Sequence, residues 1–324
     1  MVWCKMELLK PPKLNVGDTV GVIAPSYPVD DDDRPMYLQG VKNLKKLGFS
    51  VKEGETVRLQ HGYMAGTDVQ RAEDINSMFA DKEVKAIICA IGGFVAIRTL
   101  RYLDFDLIKA NPKVFSGMSD ITTFHTAFLA KNGLTGLHQT DVVFGFGADM
   151  KSREGKYEMD LFLKITKNAE PLDLLPALTK WEVWREGNAD GRLFGGNLPT
   201  LESLLATPYF PKLDEDIIFF WEATARHPLE EIDQMLVHFR EVGLFDKTRG
   251  MLIGKIRGEE ANVIKDMTSE VKAVVLDITN EFDFPIIASM DFGHFTPNLP
   301  LPMWLKATLN TEGARVWINE SYVR

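Results

Sequence analysis

The chain has 324 residues, 45% hydrophobic and 26% charged, which is enough for one large core or two modest ones and favours two domains. Lys and Arg total 37 against 46 Asp and Glu, a net charge of -9. With no basic stripe to bind a phosphate backbone, nucleic acid is not an expected partner. No apolar run is long enough to cross a membrane, and the first residues lack a secretion signal. The two cysteines, Cys4 and Cys89, indicate neither a disulfide framework nor a cysteine zinc site, so we expect a cytoplasmic protein.

The first half of the chain alternates short apolar runs with amphipathic helical patterns. This alternation is typical of a parallel sheet covered by helices. The predicted strands are DTVGVIAPS, FSVKEG, VKAIICAI and KVFSGM. The predicted helices are RPMYLQGVKNLKKLG, DVQRAEDINSMFAD, AIRTLRYL and DITTFHTAFLAKNG. We therefore predict an α/β, Rossmann-like N-terminal domain over residues 1–165.

The periodic pattern breaks over residues 166–190, which contain two prolines and two tryptophans and are predicted to connect two domains. A second folded unit, residues 191–324, is predicted to be an α+β domain. Its predicted strands are DIIFFWE, RGMLIGKI, PIIASM, MWLKATLN and ARVWIN. Its predicted helices are HPLEEIDQMLVHFREVGLFD, with apolar residues on one face, and VKAVVLDITNEF.

Ser119 lies where the strand KVFSGM gives way to a helix. Such a turn lifts a side chain clear of the sheet, and the amides that begin the helix, including that of Asp120, can receive a developing oxyanion. A helix cap is the alternative, because Ser-Asp before an apolar helix is also a common capping pattern. Spacing alone favours the cap.

A serine nucleophile needs a base and usually a carboxylate that orients the base. Six histidines compete for the first role: His61, His125, His138, His227, His238 and His294. His294 follows a strand in the turn GHFTPN, where prolines fix the backbone, although a turn histidine is also ordinary. Glu222 ends the apolar strand DIIFFWE and is either functional or simply exposed at the strand tip.

Taken in order, several segments resemble the LD-carboxypeptidase family of serine peptidases, which includes the microcin C self-immunity peptidases. They are GDTVGVIAPS, the Gly92-Gly93 turn, SGMSDITTFH, GRLFGGNLPTL, the strand ending in Glu222, EIDQML, GMLIGK and GHFTPN. The resemblance implies a Ser-Glu-His triad at Ser119, Glu222 and His294, with oxyanion donors at the amides of Gly93 and Asp120. It implies no metal or cofactor, and it suggests a homodimer. Because nucleophile and base then come from different domains, the site is expected at the domain interface.

One departure from the family pattern bears on the substrate. Muropeptide-cleaving members usually carry Arg before the Gly-Gly, where this chain has Ile91, and isoleucine cannot hold a carboxylate. This favours the microcin-immunity branch, whose substrates are peptidyl or aminoacyl nucleotides, with Trp181 or Trp184 stacking the base. A packing role for these tryptophans is the alternative.

Two other readings stay open. The first is removal of the terminal D-residue from murein tetrapeptides, with Arg98, Arg185 or Arg192 holding the carboxylate. The second is a non-catalytic module that binds a nucleotide or sugar at the Gly-Gly turn. The turn by itself is a weak signal, because neither a full dinucleotide fingerprint nor a P-loop is present.

Overall fold

The computed structural model describes residues 7–224, 226–260 and 263–324, so Cys4 lies outside the described residues. From residue 7 onward, where the structure describes the chain, the N-terminal half contains five strands: β1 (Thr19–Ile23), β2 (Ser50–Glu53), β3 (Val84–Cys89), β4 (Val114–Gly117) and β5 (Leu137–His138). Its α-helices are α1 (Arg34–Lys46), α2 (Asp68–Ala80), α3 (Phe105–Ala110), α4 (Thr122–Asn132) and α5 (Arg153–Lys167). Short 3₁₀ segments cover Glu55–Arg58, Ala96–Tyr102 and Ser119–Ile121, and a π-helical turn covers Val142–Phe146.

The C-terminal half is built on a second sheet. Its helices are α6 (Leu198–Leu204), α7 (Leu229–Glu241), α8 (Leu244–Lys247) and α9 (Thr268–Ile278). Its strands are β6 (Asp173–Leu174), β7 (Glu182–Arg185), β8 (Asn188–Asn197), β9 (Ile217–Glu222), β10 (Thr248–Gly254), β11 (Arg257–Glu260), β12 (Val263–Asp266), β13 (Ile286–Met290), β14 (Leu301–Pro302), β15 (Lys306–Asn310) and β16 (Arg315–Ile318).

The first sheet has the order β14-β5-β4-β3-β1-β2 and the second the order β6-β16-β15-β8-β9-β10-β13-β7, while β11 and β12 form a separate hairpin. In the first sheet β2, β1, β3 and β4 are parallel, as predicted, because helical crossovers connect them. The short strand β5, which was not predicted, pairs parallel with β4. In the second sheet β8, β9, β10 and β13 are parallel and the outer strands antiparallel. The predicted α/β fold class is confirmed.

The interior is continuous between the two halves. One cluster of buried apolar side chains contains residues of both sheets, and a second fills the far face of the first sheet against α2 and α4. Strand β14 comes from the C-terminal half but pairs with β5 at the edge of the first sheet. None of the helices in the described part of the chain is long and apolar enough to cross a bilayer.

The segment over residues 166–190 contains more structure than the prediction of a connection implied. Strands β6 and β7 lie inside it and form the two edges of the second sheet. Periodicity did not reveal them, because β6 has two residues and β7 four. The predicted helix AIRTLRYL is a 3₁₀ segment. The boundaries at 165 and 190 stay a prediction.

Candidate active site

Ser119 lies in the sharp turn between β4 and α4. Its backbone has φ of 61°, a left-handed conformation that a residue with a side chain adopts at a cost and that is typical of an exposed nucleophile on a strand-to-helix turn. The Ser119 side chain caps no backbone amide, because α4 begins only at Thr122 and shows no side-chain cap. Ser119 therefore does not act as a helix cap in this fold.

The residue after Ser119 holds the turn in place. The Asp120 carboxylate, which is 5% exposed, accepts hydrogen bonds from Ser26 Oγ at 2.5 Å and from the Ala96 N–H at 2.8 Å. Burial raises the pKa of Asp120, although these hydrogen bonds act in the opposite direction. Asp120 thus ties the serine turn to the loops that follow β1 and β3.

The Gly92-Gly93 turn packs directly against Ser119. A side chain at Gly92 would bring its Cβ within 2.8 Å of Ser119 Cβ. Gly93 has φ of +150°, and a Cβ there would lie 2.3 Å from Ser26 Oγ, so only glycine fits either position. Among the described residues, no protein acceptor takes a hydrogen bond from the backbone N–H of Gly93 or Asp120. Both amides are therefore available to a ligand.

Glu222 and His294 pair beside the carboxyl ends of strands β9 and β13 in the second sheet. Glu222 is the last residue of β9 and is fully buried, and its Oε2 lies 2.5 Å from His294 Nδ1. Asn197 Nδ2 donates to the other carboxylate oxygen at 3.1 Å. Gly293 has φ of +111°, and a side chain there would lie 3.0 Å from Glu222 Cβ. The Gly-His turn is thus shaped to fit against this carboxylate.

The electrostatics of the pair favour its charged form. Burial alone would raise the pKa of Glu222, but His294 and the hydrogen bonds from His294 and Asn197 lower it below its ordinary value. Burial opposes a charge on His294 as well, yet Glu222 raises the pKa of the imidazole above 6.5. An imidazole held in this way accepts a proton readily, and the resulting cation is stabilised.

Two links join this pair to the serine turn. The backbone N–H of Asn197 donates to Thr122 Oγ1 at 3.1 Å. Thr122 lies three residues after Ser119. Asn298 donates from Nδ2 to the sulfur of Met118 at 3.1 Å and accepts from the Gly293 N–H at 3.2 Å. Ser119 Oγ itself makes no hydrogen bond to a described residue, so the turn and the pair are neighbours without direct contact between the serine hydroxyl and an imidazole.

The other five histidines have different surroundings. His125 and His138 are fully buried, and burial lowers their pKa values to about 3 and about 4. His227 and His238 pair with Glu231 and Glu202 near the protein surface. The fifth, His61, lies in an exposed turn. Among the six histidines, His294 alone pairs with a buried carboxylate.

Sequence reasoning missed two charged groups that act on His294. The Asp141 carboxyl is buried, and burial raises its pKa to about 7; its charge raises the pKa of His294. Arg226 is exposed, and its charge lowers the pKa of His294. Both stand in loops of ordinary composition, so no sequence signal marked them.

The tryptophans predicted to stack a base are both buried, with Trp181 6% and Trp184 8% exposed. Trp181 Nε1 donates to Asp291 Oδ2 at 3.0 Å, and Trp184 Nε1 donates to Glu182 Oε2 at 3.2 Å. This arrangement favours the alternative of a packing role. Base stacking by these residues stays a prediction.

The three arginines considered as carboxylate anchors already have partners. Arg98 binds Asp68, and Arg192 binds Glu215 and Glu320. Arg185 donates to the backbone carbonyls of residues 279 and 284. A substrate carboxylate would have to displace these contacts. Ile91, in place of the family's arginine, is 9% exposed.

Comparison with known proteins bears on this arrangement. Residues 20–139 match the LD-carboxypeptidase N-terminal domain and residues 190–309 the LD-carboxypeptidase C-terminal domain. The chain is 34% identical to a probable murein peptide carboxypeptidase of Bacillus subtilis, over 93% of this chain and 92% of that protein. It is 28% identical to the microcin C7 self-immunity protein MccF of Escherichia coli, over 96% of this chain and 95% of that protein.

A solved structure of MccF in complex with glutamyl sulfamoyl guanosine superposes with a TM-score of 0.88. The superposition covers 98% of this chain and all of that one, at 23% sequence identity, and so supports the fold. The two family matches and the Bacillus subtilis relative together cover both halves of the molecule. The chain belongs to the LD-carboxypeptidase family of serine peptidases.

Proposed function

We propose that the chain hydrolyses an amide bond with a triad of Ser119, Glu222 and His294. The observation that carries this proposal is the 2.5 Å hydrogen bond from His294 Nδ1 to the buried Glu222 carboxylate. Since Nδ1 donates this bond, Nε2 is the nitrogen that can take the proton of a serine hydroxyl. The strained Ser119 turn, on the loop that contacts the His294 turn through Asn298, supplies the hydroxyl.

In the proposed reaction Ser119 Oγ attacks the carbonyl carbon while His294 takes its proton. The carbonyl oxygen becomes an oxyanion that the free N–H groups of Gly93 and Asp120 bind. His294 then gives its proton to the leaving amine, which departs as the C–N bond breaks. Water, deprotonated by the same imidazole, attacks the acyl-serine and frees the acid. Every step is carried by groups of this chain and water.

For the substrate, we propose a peptidyl or aminoacyl nucleotide analogue, as in the microcin-immunity branch. Ile91 offers no charge to a peptide carboxylate, and Arg98, Arg185 and Arg192 are engaged elsewhere. The similarity to MccF, one structure of which holds glutamyl sulfamoyl guanosine, supports the same assignment. The exposed Arg226 offers a cation to an acidic group of the ligand.

The second candidate is release of the terminal D-residue from a murein tetrapeptide. The Bacillus subtilis relative, named a probable murein peptide carboxypeptidase, favours this activity. Parallel incubation of the purified chain with an LD-tetrapeptide and with an aminoacyl sulfamoyl adenosine, followed by mass spectrometry, separates the two. Our proposal expects cleavage of the sulfamoyl compound. Cleavage of the tetrapeptide alone would assign the murein activity instead.

The alternative of a non-catalytic nucleotide or sugar-binding module makes a different prediction. A binding module turns over neither compound, so Ser119→Ala has no activity to remove. A cytoplasmic location and a homodimeric state are also part of the proposal. The location rests on the use of cysteine in the sequence, and the dimer rests on the family resemblance. Sedimentation of the purified chain tests the dimer, and fractionation of the producing cells tests the location.

A further inference from the structure

A chain of buried contacts fixes the His294 turn against the Ser119 turn, although the two turns belong to different halves of the molecule. Asn298 lies four residues after His294 and is fully buried. Its Oδ1 accepts from the Gly293 N–H at 3.2 Å, and its Nδ2 donates to Met118 Sδ at 3.1 Å. Gly293 directly precedes His294. Met118 directly precedes Ser119, so a single amide side chain touches both turns.

Helix α5 of the N-terminal half holds Asn298 in turn. The carboxyl of Glu158, a buried residue in the middle of α5, accepts from the Asn298 N–H at 2.8 Å. Its other oxygen accepts from Thr140 Oγ1 at 3.2 Å. Thr140 lies two residues after β5, and β5 pairs with β14, the strand that follows Asn298. The Asn298 segment is therefore fixed to the N-terminal half at Asn298 and again at β14.

The Glu158 carboxyl joins the two halves at the level of the His294 turn. Burying a carboxyl costs free energy that an apolar side chain of similar size would avoid. Both hydrogen bonds of this carboxyl lead out of α5, to Thr140 in the N-terminal half and to Asn298 in the C-terminal half. The distance between Ser119 and His294 depends on how these halves are held together.

We propose that Glu158 and Asn298 are positioning residues that set the distance between Ser119 Oγ and the His294 imidazole. The inference rests on the proposed function, because it assigns roles around that triad. Glu158 acts through Asn298, which acts on the residues that precede Ser119 and His294. Proton transfer from a serine to an imidazole needs hydrogen-bond distance, and small displacements of reacting groups slow the reaction strongly.

Labelling of the full-length chain with a fluorophosphonate measures this positioning without a natural substrate. In that reaction Ser119 Oγ bonds to phosphorus, fluoride leaves and His294 takes the serine proton. We expect Glu158→Leu and Asn298→Ala each to lower the maximal labelling rate about tenfold. The probe concentration that gives half the maximal rate should not change. Glu158→Gln keeps an oxygen for the Asn298 N–H and should label within about twofold of the parent rate.

Ile165→Ala is the matched control for stability, because it removes a buried apolar side chain from the same helix. Its Tm should fall while its labelling rate stays that of the parent. Slowing of Ile165→Ala or Glu158→Gln to the rate of Glu158→Leu would show a general loss of order and overturn the proposal. Parent-like rates in Glu158→Leu and Asn298→Ala would overturn it too. If Glu158→Leu does not fold, Asn298→Ala alone decides.

Failure of the proposed function has a different signature in the same experiment. Mass spectrometry locates the label, and Ser119→Ala should take up none. A parent chain that is not labelled at Ser119 overturns the triad and this inference with it. A parent chain that is labelled at Ser119 at the same rate as Glu158→Leu and Asn298→Ala overturns the positioning role alone.

Discussion

Glu222 Oε2 and His294 Nδ1 lie 2.5 Å apart although 72 residues separate them in the chain. The sheet order explains their meeting. Strands β9, β10 and β13 are consecutive parallel neighbours, so their carboxyl ends lie side by side. Glu222 ends β9, and His294 follows β13 by four residues. Functional groups of parallel sheets collect at the carboxyl ends of strands for this reason.

The triad proposal predicts non-additive losses. Ser119→Ala should lower kcat by roughly 10⁴-fold or more, and adding His294→Ala to it should cause little further loss, because the residues act as a unit. Steady-state turnover of the two single variants and the double variant measures this. Ser152→Ala, which removes a serine that caps α5, is a control expected to keep activity. Independent, multiplying losses would contradict the triad.

The raised pKa of His294 predicts how activity depends on pH. The imidazole must be neutral to accept a proton, so kcat/KM should fall as pH drops through a midpoint above 6.5. Glu222→Gln removes the anion that raises this pKa, so the midpoint should move to lower pH while the plateau falls by about 10³–10⁴-fold. A pH–rate profile of both proteins is the measurement, and an unchanged midpoint in the variant would count against the pairing.

The close fit of Gly92 predicts a selective loss of function. Gly92→Ala would press a methyl group against Ser119 Cβ at 2.8 Å and displace the nucleophile. We expect a fall in kcat of at least about tenfold, since small displacements of reacting groups are costly. Gly17→Ala is the control, because Gly17 has φ of +93° but no atom within 4 Å of an added Cβ. The activity of Gly17→Ala should be unchanged even if its Tm falls. Equal kinetics for Gly92→Ala and Gly17→Ala would contradict this prediction.

The buried carboxyl of Glu158 should make the free energy of unfolding depend on pH. Its carboxyl accepts from the Asn298 N–H at 2.8 Å and from Thr140 Oγ1 at 3.2 Å, and burial raises its pKa to about 7. Between its ordinary pKa of 4.5 and 7 the folded state holds a proton that the unfolded state has lost, so the free energy of unfolding decreases as pH rises.

Glu158→Gln is neutral throughout and should remove this decrease. Its stability relative to the parent should improve by up to about 3 kcal/mol from pH 5 to pH 8. Urea unfolding at several pH values measures the difference. Asp160→Asn changes an exposed carboxylate of the same helix and should show no such trend. A pH-independent difference for Glu158→Gln would show that the carboxyl is charged in the folded protein.

The strands and helices of the first half were predictable because their apolar residues recur with clear periods. Strand β3 is apolar apart from the exposed Lys85, and Gly133, with φ of +75°, ends α4 where the sequence places its glycine. Local sequence also placed Ser119, Glu222 and His294 at the ends of elements. What it could not supply was their proximity, which depends on strand order and not on spacing.

The sequence pattern could not predict the burial of individual side chains either. Trp181 stands in a stretch without period, so nothing local indicates that its indole N–H meets Asp291, 110 residues further along the chain. The contacts of Tyr27 with Tyr63 and Phe94 could not be predicted for the same reason, since the three residues lie in separate loops.

Strand β14 has a consequence for how the molecule can be divided. It follows the His294 turn and pairs with β5, so the last part of the chain completes the first sheet. A fragment that stops before residue 300 would leave the backbone of β5 unpaired at an exposed sheet edge, and such edges promote aggregation. We therefore expect the two family-matched segments to depend on each other for folding. Co-expressed halves should regain solubility only when the piece containing Leu301 and Pro302 is supplied.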